Sequence, residues 1–244
     1  GDVYKRQMYT SVNNEKIKYL KKLQNKKYRR QTGEFLVEGD HLVKEAYNAG
    51  LLKELYVEQD NLNLDVKTYL IDNKITKYLS GVETPTGIFG LCQIKENKLK
   101  GSRLLILDNI SDPGNLGTII RSSVAFNIDT IVLSKDTVDP YNSKVIRASE
   151  GMIFHINIIT EDLFEFIPKI KGKYPLYGTK VDGGKPLDEF KNREKFAIIM
   201  GNEGNGVKEE ILNMCDEYMY IPMNQNCESL NVAVATSIIL YKLR

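Results

Sequence analysis

Three polar, glycine-bearing segments hold the residues of this chain that are best suited to binding and chemistry. The first reads DNISDPGNLGTIIR over residues 108–121, the second reads IMGNEGNG over residues 199–206, and the third spans residues 221–233. Each follows a β-branched or leucine-rich run and opens a stretch with helical periodicity. An α/β sheet places its ligands at this position, at the carboxyl ends of its strands. The sequence therefore predicts one ligand site built from all three segments.

The polar residues of these segments resemble the three signature motifs of the SpoU/TrmH family of SPOUT RNA methyltransferases. Asn115 and Arg121 match the first motif, residues 201–204 match the second, and residues 229–231 match the third. The resemblance covers roughly residues 103–244, and a weaker similarity to the accessory RNA-binding domain of the family covers much of the rest.

The resemblance implies an enzyme that transfers a methyl group from S-adenosylmethionine to a ribose 2′-hydroxyl of RNA, without a metal. It implies an α/β fold with a SPOUT-type parallel sheet and a C-terminal trefoil knot, preceded by a small α/β RNA-binding domain. It also implies a homodimer. We expect an RNA substrate-binding domain over residues 1–96, a linker over 97–102 and a methyltransferase domain over 103–244. Residues 1–7 are expected to be extra residues before a natural start at Met8.

The resemblance also assigns roles to single residues. The predicted catalytic residues are Asn115, Arg121, Glu203, Ser229 and Asn231. The predicted cofactor-binding residues are Thr179, Gly201, Asn202, Ile221 and Leu230. Cofactor contacts are expected to run mainly through backbone groups and through apolar contact with adenine.

Arg121 and Glu203 are the charged residues of the predicted catalytic set. Arg121 can clamp a phosphate beside the target ribose and stabilise charge that grows on the attacking oxygen. Because arginine stays protonated, we prefer this role to that of a general base, which the family suggests. Glu203 is expected to orient Arg121 or the substrate. The residue types alone also fit an arginine that covers apolar surface, an acid beside a helix N-terminus, and Ser229 as the N-cap of the last helix.

Composition indicates an ordinary soluble globular protein. Apolar residues make up 42% and charged residues 27% of 244 residues, and the longest apolar runs have the length of a strand, which argues against a membrane span. The three cysteines, Cys92, Cys215 and Cys227, have no CxxC spacing. They favour a reducing cytoplasm and argue against a zinc site.

The positive charge of the chain is concentrated at its start. Residues 1–30 hold ten Lys and Arg and two acidic residues, a local charge of +8, so the remainder carries −6 within a total of +2. Residues 14–28 have the apolar spacing of one amphipathic helix. We expect Lys26, Lys27, Arg29 and Arg30 to contact RNA phosphates, although a solvated lysine-rich helix without a partner has the same composition.

Regular alternation after Arg103 predicts a parallel sheet with helices on both faces. The predicted strands cover residues 104–107, 130–133, 154–159, 175–179, 196–200 and 218–221. The predicted helices cover residues 116–126, 141–149, 163–171, 207–215 and 232–240. The last helix is apolar on most sides, so we expect it to be buried, with a second subunit as one candidate to cover it.

Ribosomal RNA is the expected substrate, because tRNA-specific relatives more often carry a short basic extension than a whole accessory domain. The alternatives are a tRNA 2′-O-methyltransferase and a catalytically silent RNA-binding or ribosome-assembly factor of the same fold. A silent factor should have lost some motif residues, whereas all of them are present. A nucleotide-dependent oxidoreductase needs G-x-G-x-x-G after its first strand, and PGNLG does not satisfy that pattern.

Overall fold

The computed structural model describes residues 7–244, which form two compact units. The first unit contains the described residues up to Glu96 together with Tyr141–Arg147. The second contains Asn97–Pro140 and Ala148–Arg244. The grouping of Tyr141–Arg147 with the first unit was not expected from the sequence.

The ends of the predicted domains can be compared with these units. Residues 1–6, most of the predicted extra segment, lie outside the described residues. Residues 97–102, predicted as a linker, are bonded within the second unit, where the Asn97 amide donates to the Ile158 carbonyl at 3.1 Å. No helix in the described part of the chain has the length and apolar character needed to cross a bilayer.

The first unit is a small α/β domain with a mixed sheet. Its strands are β1 (Met8–Tyr9), β2 (Glu34–Glu38), β3 (Leu52–Val57), β4 (Lys67–Ile71) and β5 (Ile88–Gln93). Its helices are α1 (Glu15–Lys22), α2 (Lys26–Thr32), α3 (Asp40–Asn48) and α4 (Asn73–Leu79). The strand order is β1-β4-β3-β5-β2. Strand β5 is antiparallel to both of its neighbours, and the other pairs are parallel.

The predicted single helix over residues 14–28 is two helices. The chain breaks before Lys26 because the Asn25 side chain accepts from the Lys27 N–H and caps α2. Arg29 is 4% exposed, and its guanidinium donates to the carbonyls of Leu23 (2.8 Å) and Gln24 (2.9 Å) at the end of α1. Arg29 therefore holds α1 and α2 together, and its assignment as a phosphate contact is wrong.

The second unit is built on a seven-stranded, entirely parallel sheet in the order β10-β12-β9-β11-β6-β7-β8. Its strands are β6 (Arg103–Leu107), β7 (Thr130–Ser134), β8 (Asn157–Glu161), β9 (Leu176–Thr179), β10 (Lys185–Pro186), β11 (Phe196–Met200) and β12 (Glu217–Tyr220). The helices that follow Arg103 are α5 (Pro113–Ala125), α6 (Ser143–Ala148), α7 (Leu163–Ile170), α8 (Glu209–Leu212) and α9 (Val232–Leu243). The predicted α/β class and parallel sheet are confirmed.

The core of this unit lies around its central strands. Every residue of β7 and β11 is buried, as are the last four residues of β6. Continuous burial arises because helices cover both faces of a parallel sheet, which is why these strands are apolar runs rather than alternating ones. The rigid strands fix the positions of the loops at their carboxyl ends.

Candidate active site

The carboxyl ends of β6 and β11 bring the first two polar segments together. The two strands are parallel neighbours with Leu107 opposite Met200. The Asp108 N–H donates to the Met200 carbonyl at 2.9 Å, which extends the pairing by one residue. Two loops therefore leave the sheet side by side: the β6–α5 loop (residues 108–112) and the glycine loop (residues 201–206).

The glycine loop closes on itself. The N–H of Asn202 donates to the Gly206 carbonyl at 3.0 Å, and the reverse bond is 2.9 Å long. A Cβ on Gly201 would lie 2.1 Å from the Gly206 carbonyl carbon, so no side chain fits there. The Asn202 side chain accepts from the Gly204 N–H at 2.9 Å and donates to the Asn109 carbonyl at 2.8 Å. Asn202 therefore ties the glycine loop to the β6–α5 loop.

Glu203 projects from the glycine loop to the N-terminus of α5. Its carboxylate accepts from the Asp112 N–H (3.0 Å), the Ser111 hydroxyl (3.0 Å) and N–H (3.2 Å), and the Asn115 amide (3.2 Å). Burial raises the pKa of Glu203, but these hydrogen bonds lower it more, so its net pKa lies below the usual value. Glu203 is thus an ionised group at a helix N-terminus, where the helix dipole favours an anion.

Asn231 connects the third segment to the first two. Its side-chain oxygen caps α9 by accepting from the Ala233 N–H at 2.9 Å, and its amide donates to the Asn115 side-chain oxygen at 2.9 Å. Ser229 was the alternative cap, and that interpretation is wrong because Asn231 occupies the position. Asn231, Asn115 and Glu203 form one hydrogen-bonded chain, called here the amide chain.

A cleft of about 360 Å³ opens beside the amide chain, a size that fits a small ligand. Seven of the predicted site residues line it: Thr179, Gly201, Asn202, Glu203, Ile221, Ser229 and Leu230. The Thr179 hydroxyl is committed to the Ile199 carbonyl at 3.0 Å, so its side chain supports β11. Asn115 and Asn231 stand behind the lining and hold Glu203.

Several lining residues were missed by the sequence reasoning. Met200 and Met219 come from strand ends, Val232 and Ile239 from α9, and Lys180 from the residue after β9. The apolar ones could have been found by extending each motif by one or two residues into its flanking element. Lys180 carries no such signal, because its place in the lining depends on how β9 and β12 pair.

Arg121 lies on α5 and is exposed. None of the hydrogen bonds or ion pairs formed among residues 7–244 involves its guanidinium, and the structure does not bring it to Glu203. Within the same residues, no three His, Cys, Asp or Glu side chains are grouped so that they could bind a metal ion.

Comparisons with known proteins agree with this architecture. Residues 102–241 match the SpoU rRNA Methylase family, and residues 14–90 match the MRM3-like substrate binding domain. The 23S rRNA (guanosine(2553)-2′-O)-methyltransferase RlmP of Bacillus subtilis is 38% identical over 242 residues, which cover 96% of this chain and 98% of that protein.

Solved structures are similar over the whole chain. The AdoMet-bound rRNA methyltransferase of Sinorhizobium meliloti superposes with a TM-score of 0.86 at 27% identity, covering 98% of this chain and 97% of that one. A structure described as an RNA 2′-O ribose methyltransferase has a TM-score of 0.83 at 28% identity, covering 97% of this chain and 98% of that one. Because more than half of its length matches the family, this chain belongs to the SpoU rRNA Methylase family.

Proposed function

We propose that this protein is an S-adenosylmethionine-dependent methyltransferase that modifies ribose 2′-hydroxyls of ribosomal RNA. The observation that carries the proposal is the amide chain, which joins three segments distant in sequence beside a cleft of ligand size. The activities named for RlmP and for the AdoMet-bound relative support this substrate and this cofactor.

The cleft fits S-adenosylmethionine in its chemistry. When bound, this cofactor supplies the electrophilic methyl group. Ile221 and Leu230 offer apolar contact for adenine, and the backbone of the glycine loop offers polar groups near a strand end. Gly201, Asn202 and Thr179 shape that wall, since their own bonds hold the loop and β11 in place.

We assign the amide chain to orientation rather than to proton transfer. Glu203 is ionised and its oxygens already accept several hydrogen bonds, so it is a fixed anion. Asn115 uses its amide on Glu203 and its oxygen on Asn231, which locks the direction of both amides. Ser229, exposed and lining the cleft, is the group that remains able to meet a substrate hydroxyl.

Arg121 is proposed to clamp a substrate phosphate and to stabilise charge on the attacking oxygen. Removal of such a group typically costs about 2.7–4 kcal/mol, or roughly a hundred- to a thousandfold in turnover. Arg121→Ala should keep cofactor affinity and lose single-turnover methyl transfer at saturating RNA, and Arg121→Lys should rescue poorly because the planar fork is gone. Lys169→Ala, an exposed cation on α7, is the matched control. Near wild-type turnover in Arg121→Ala would remove the residue from the mechanism.

The first unit is proposed to capture RNA, with domain boundaries at 1–96, 97–102 and 103–244. Its α2 basic cluster consists of Lys26, Lys27 and Arg30, which have no ion-pair partner among the described residues. Exposed cations without acidic partners suit a phosphate backbone. The match of residues 14–90 to a substrate-binding domain supports this assignment.

We also propose a homodimer in the cytoplasm. Helix α9 was expected to be buried on most sides, yet Val234, Ile238 and Tyr241 are 47%, 39% and 54% exposed. Their spacing of four and three residues puts these apolar side chains on one face of the helix. A second copy of the chain, as the family resemblance implies, would cover this face.

A trefoil knot is the remaining structural proposal. The strand order is interleaved: β11 lies between β9 and β6, and β12 lies between β10 and β9. The last three strands thus enter the sheet on both sides of β9 rather than in sequence order. This interleaving supports a chain end that threads a loop, and a crystal structure traced continuously from β9 to α9 would test it.

Two experiments test the function directly. Calorimetry with S-adenosylmethionine in the presence of a chelator should show binding, because no metal is required. Mapping of 2′-O-methylation in ribosomal RNA from cells with and without the gene should reveal one missing methyl group. A methyl group missing from tRNA instead would change the substrate. Unchanged RNA together with absent cofactor binding would favour a silent RNA-binding factor.

A further inference from the structure

Lys208 joins three loops of the second unit at the edge that carries the cleft. Its backbone N–H donates to one oxygen of Asp108 at 2.9 Å, and its ammonium donates to the other at 3.2 Å. The same ammonium reaches Asp136, in the turn after β7, at 3.1 Å. Lys208 follows the glycine loop and Asp108 opens the β6–α5 loop, so these contacts tie the two loops together.

The Asp108 carboxylate makes this contact costly to remove. Its side chain is 1% exposed, whereas those of Lys208 and Asp136 are 41% and 48% exposed. A buried carboxylate is tolerated when charge and hydrogen bonds compensate it. Here both compensating donors come from Lys208. Removal of the ammonium leaves Asp108 with a single backbone donor.

Asp136 carries the same restraint to the backbone of the β6–α5 loop. The Ser134 hydroxyl donates to Asp136 and accepts from the Asn109 N–H, the latter at 2.8 Å. Asn109 has φ of +57°, a left-handed conformation that costs energy outside glycine and needs support. Asn109 is also the residue whose carbonyl accepts from Asn202 of the glycine loop.

The position of Glu203 therefore depends on contacts at both ends of its loop. Asn202 binds the β6–α5 loop on one side of Glu203, and Lys208 binds it on the other. The donors that Glu203 needs, the N–H groups of residues 111 and 112, lie on that same β6–α5 loop. A shift between the two loops would move the carboxylate, the amide chain and the cleft wall together.

We propose that Lys208 is a positioning residue for methyl transfer, which holds the glycine loop against the β6–α5 loop so that Glu203 keeps its place at the cleft. This inference rests on the proposed function. Lys208 itself does not line the cleft. It acts through Glu203 and the glycine loop, not by contact with the substrate.

The main test compares Lys208→Met with wild type in the full chain. A displacement of about 1 Å in a catalytic arrangement can cost roughly a hundredfold in rate, so we expect a single-turnover loss of about ten- to a hundredfold at saturating RNA and cofactor. Lys208→Arg keeps the charge and should recover most of the rate. Lys185→Met, which breaks the exposed ion pair with Glu217, is the control and should change the rate less than about twofold.

A double-mutant cycle separates positioning from general destabilisation. If Lys208 acts through Glu203, Lys208→Met should lower the rate much less in a Glu203→Gln background than in wild type. Losses that multiply independently, or a lower melting temperature with an unchanged saturated rate, would overturn the proposal. If Lys208→Met does not fold, Asp136→Asn removes the outer half of the bridge and should give a smaller loss of the same kind.

Hydrogen exchange gives a readout that does not depend on activity. The amides of Ser111 and Asp112 should exchange faster in Lys208→Met than in wild type, and those of Lys185→Met should not change. Unchanged exchange would refute positioning even in an active enzyme. Faster exchange in a protein that never binds S-adenosylmethionine would support the clamp and refute the proposed function instead.

Discussion

Glu203→Gln tests whether the charge of Glu203 holds the candidate active site together. The substitution keeps the size of the side chain and removes its negative charge. The carboxylate accepts from four donors at 3.0–3.2 Å: two on Ser111, one on Asp112 and one on Asn115. A glutamine oxygen can keep part of this set, but its NH₂ group then faces N–H donors and cannot accept from them.

The magnitude follows from the difference between charged and neutral hydrogen bonds. A hydrogen bond to a charged group contributes about 1.5–3 kcal/mol and a neutral one about 0.5–1.5 kcal/mol. Glu203 is exposed, so solvent screening reduces its share well below the sum over four bonds. We expect a loss of about 1–2 kcal/mol in unfolding free energy, similar to the loss of a helix N-cap. The melting temperature should fall by roughly 2–8 °C.

The pH dependence gives the sign of the effect. The pKa of Glu203 is lowered in the folded state, so its carboxylate stabilises the fold above the unfolded pKa of about 4.3. That stability is lost as the pH falls through the folded pKa. The difference between wild type and Glu203→Gln should therefore be full at pH 7 and should shrink below about pH 4.

The assay is urea unfolding of both proteins from neutral to acidic pH, followed by fluorescence of the tyrosines. Glu210→Gln is the matched control, since Glu210 is exposed on α8 and forms no ion pair within residues 7–244. It should change stability by less than about 0.5 kcal/mol. A Glu203→Gln deficit that stays constant into the acid range would show that charge is not its source.

Three further predictions concern other parts of the molecule. Reversal of the α2 basic cluster should weaken RNA binding and lower its salt slope by about one unit for each phosphate that the protein no longer binds, whereas Arg29→Met should lower the melting temperature, as measured by filter binding and calorimetry. Gly201→Ala should impair cofactor binding, because its Cβ would meet Gly206 at 2.1 Å; unaltered calorimetry would contradict this. Ile238→Glu should give a monomer in light scattering, and a wild type that is already monomeric would remove the dimer proposal.

Apolar periodicity predicted the central sheet because continuous burial leaves a strong signal. The strand predicted over residues 196–200 is β11 as observed, and the strands predicted over residues 104–107 and 130–133 differ from β6 and β7 by one residue. Weaker signals failed. Residues 154–159 were predicted as a strand, but Met152–His155 form a 3₁₀ turn and β8 begins at Asn157. Strand β4 and helix α4 were not predicted, since neither has a long apolar run.

Cation placement could not be predicted from the sequence. Charge counting treated Arg29 like its neighbours, although a capping residue at position 25 breaks the helix and turns its guanidinium toward the carbonyls that end α1. The contact of Lys208 with Asp108 spans 100 residues and depends on the pairing of β6 with β11. Local patterns predict elements, whereas such contacts follow from the order of strands in the sheet.

The distribution of charge at this edge explains why Arg121 is the proposed contact for substrate. The two acidic residues that begin and face the β6–α5 loop are both committed: Asp108 to Lys208, and Glu203 to the N-terminus of α5. Arg121, further along the same helix, has no acidic partner within the described residues. An arginine that was already paired would have to break that bond before it could bind phosphate. A site that neutralises its own acids with backbone and lysine keeps its arginine available, so a phosphate group is the partner that this arrangement favours.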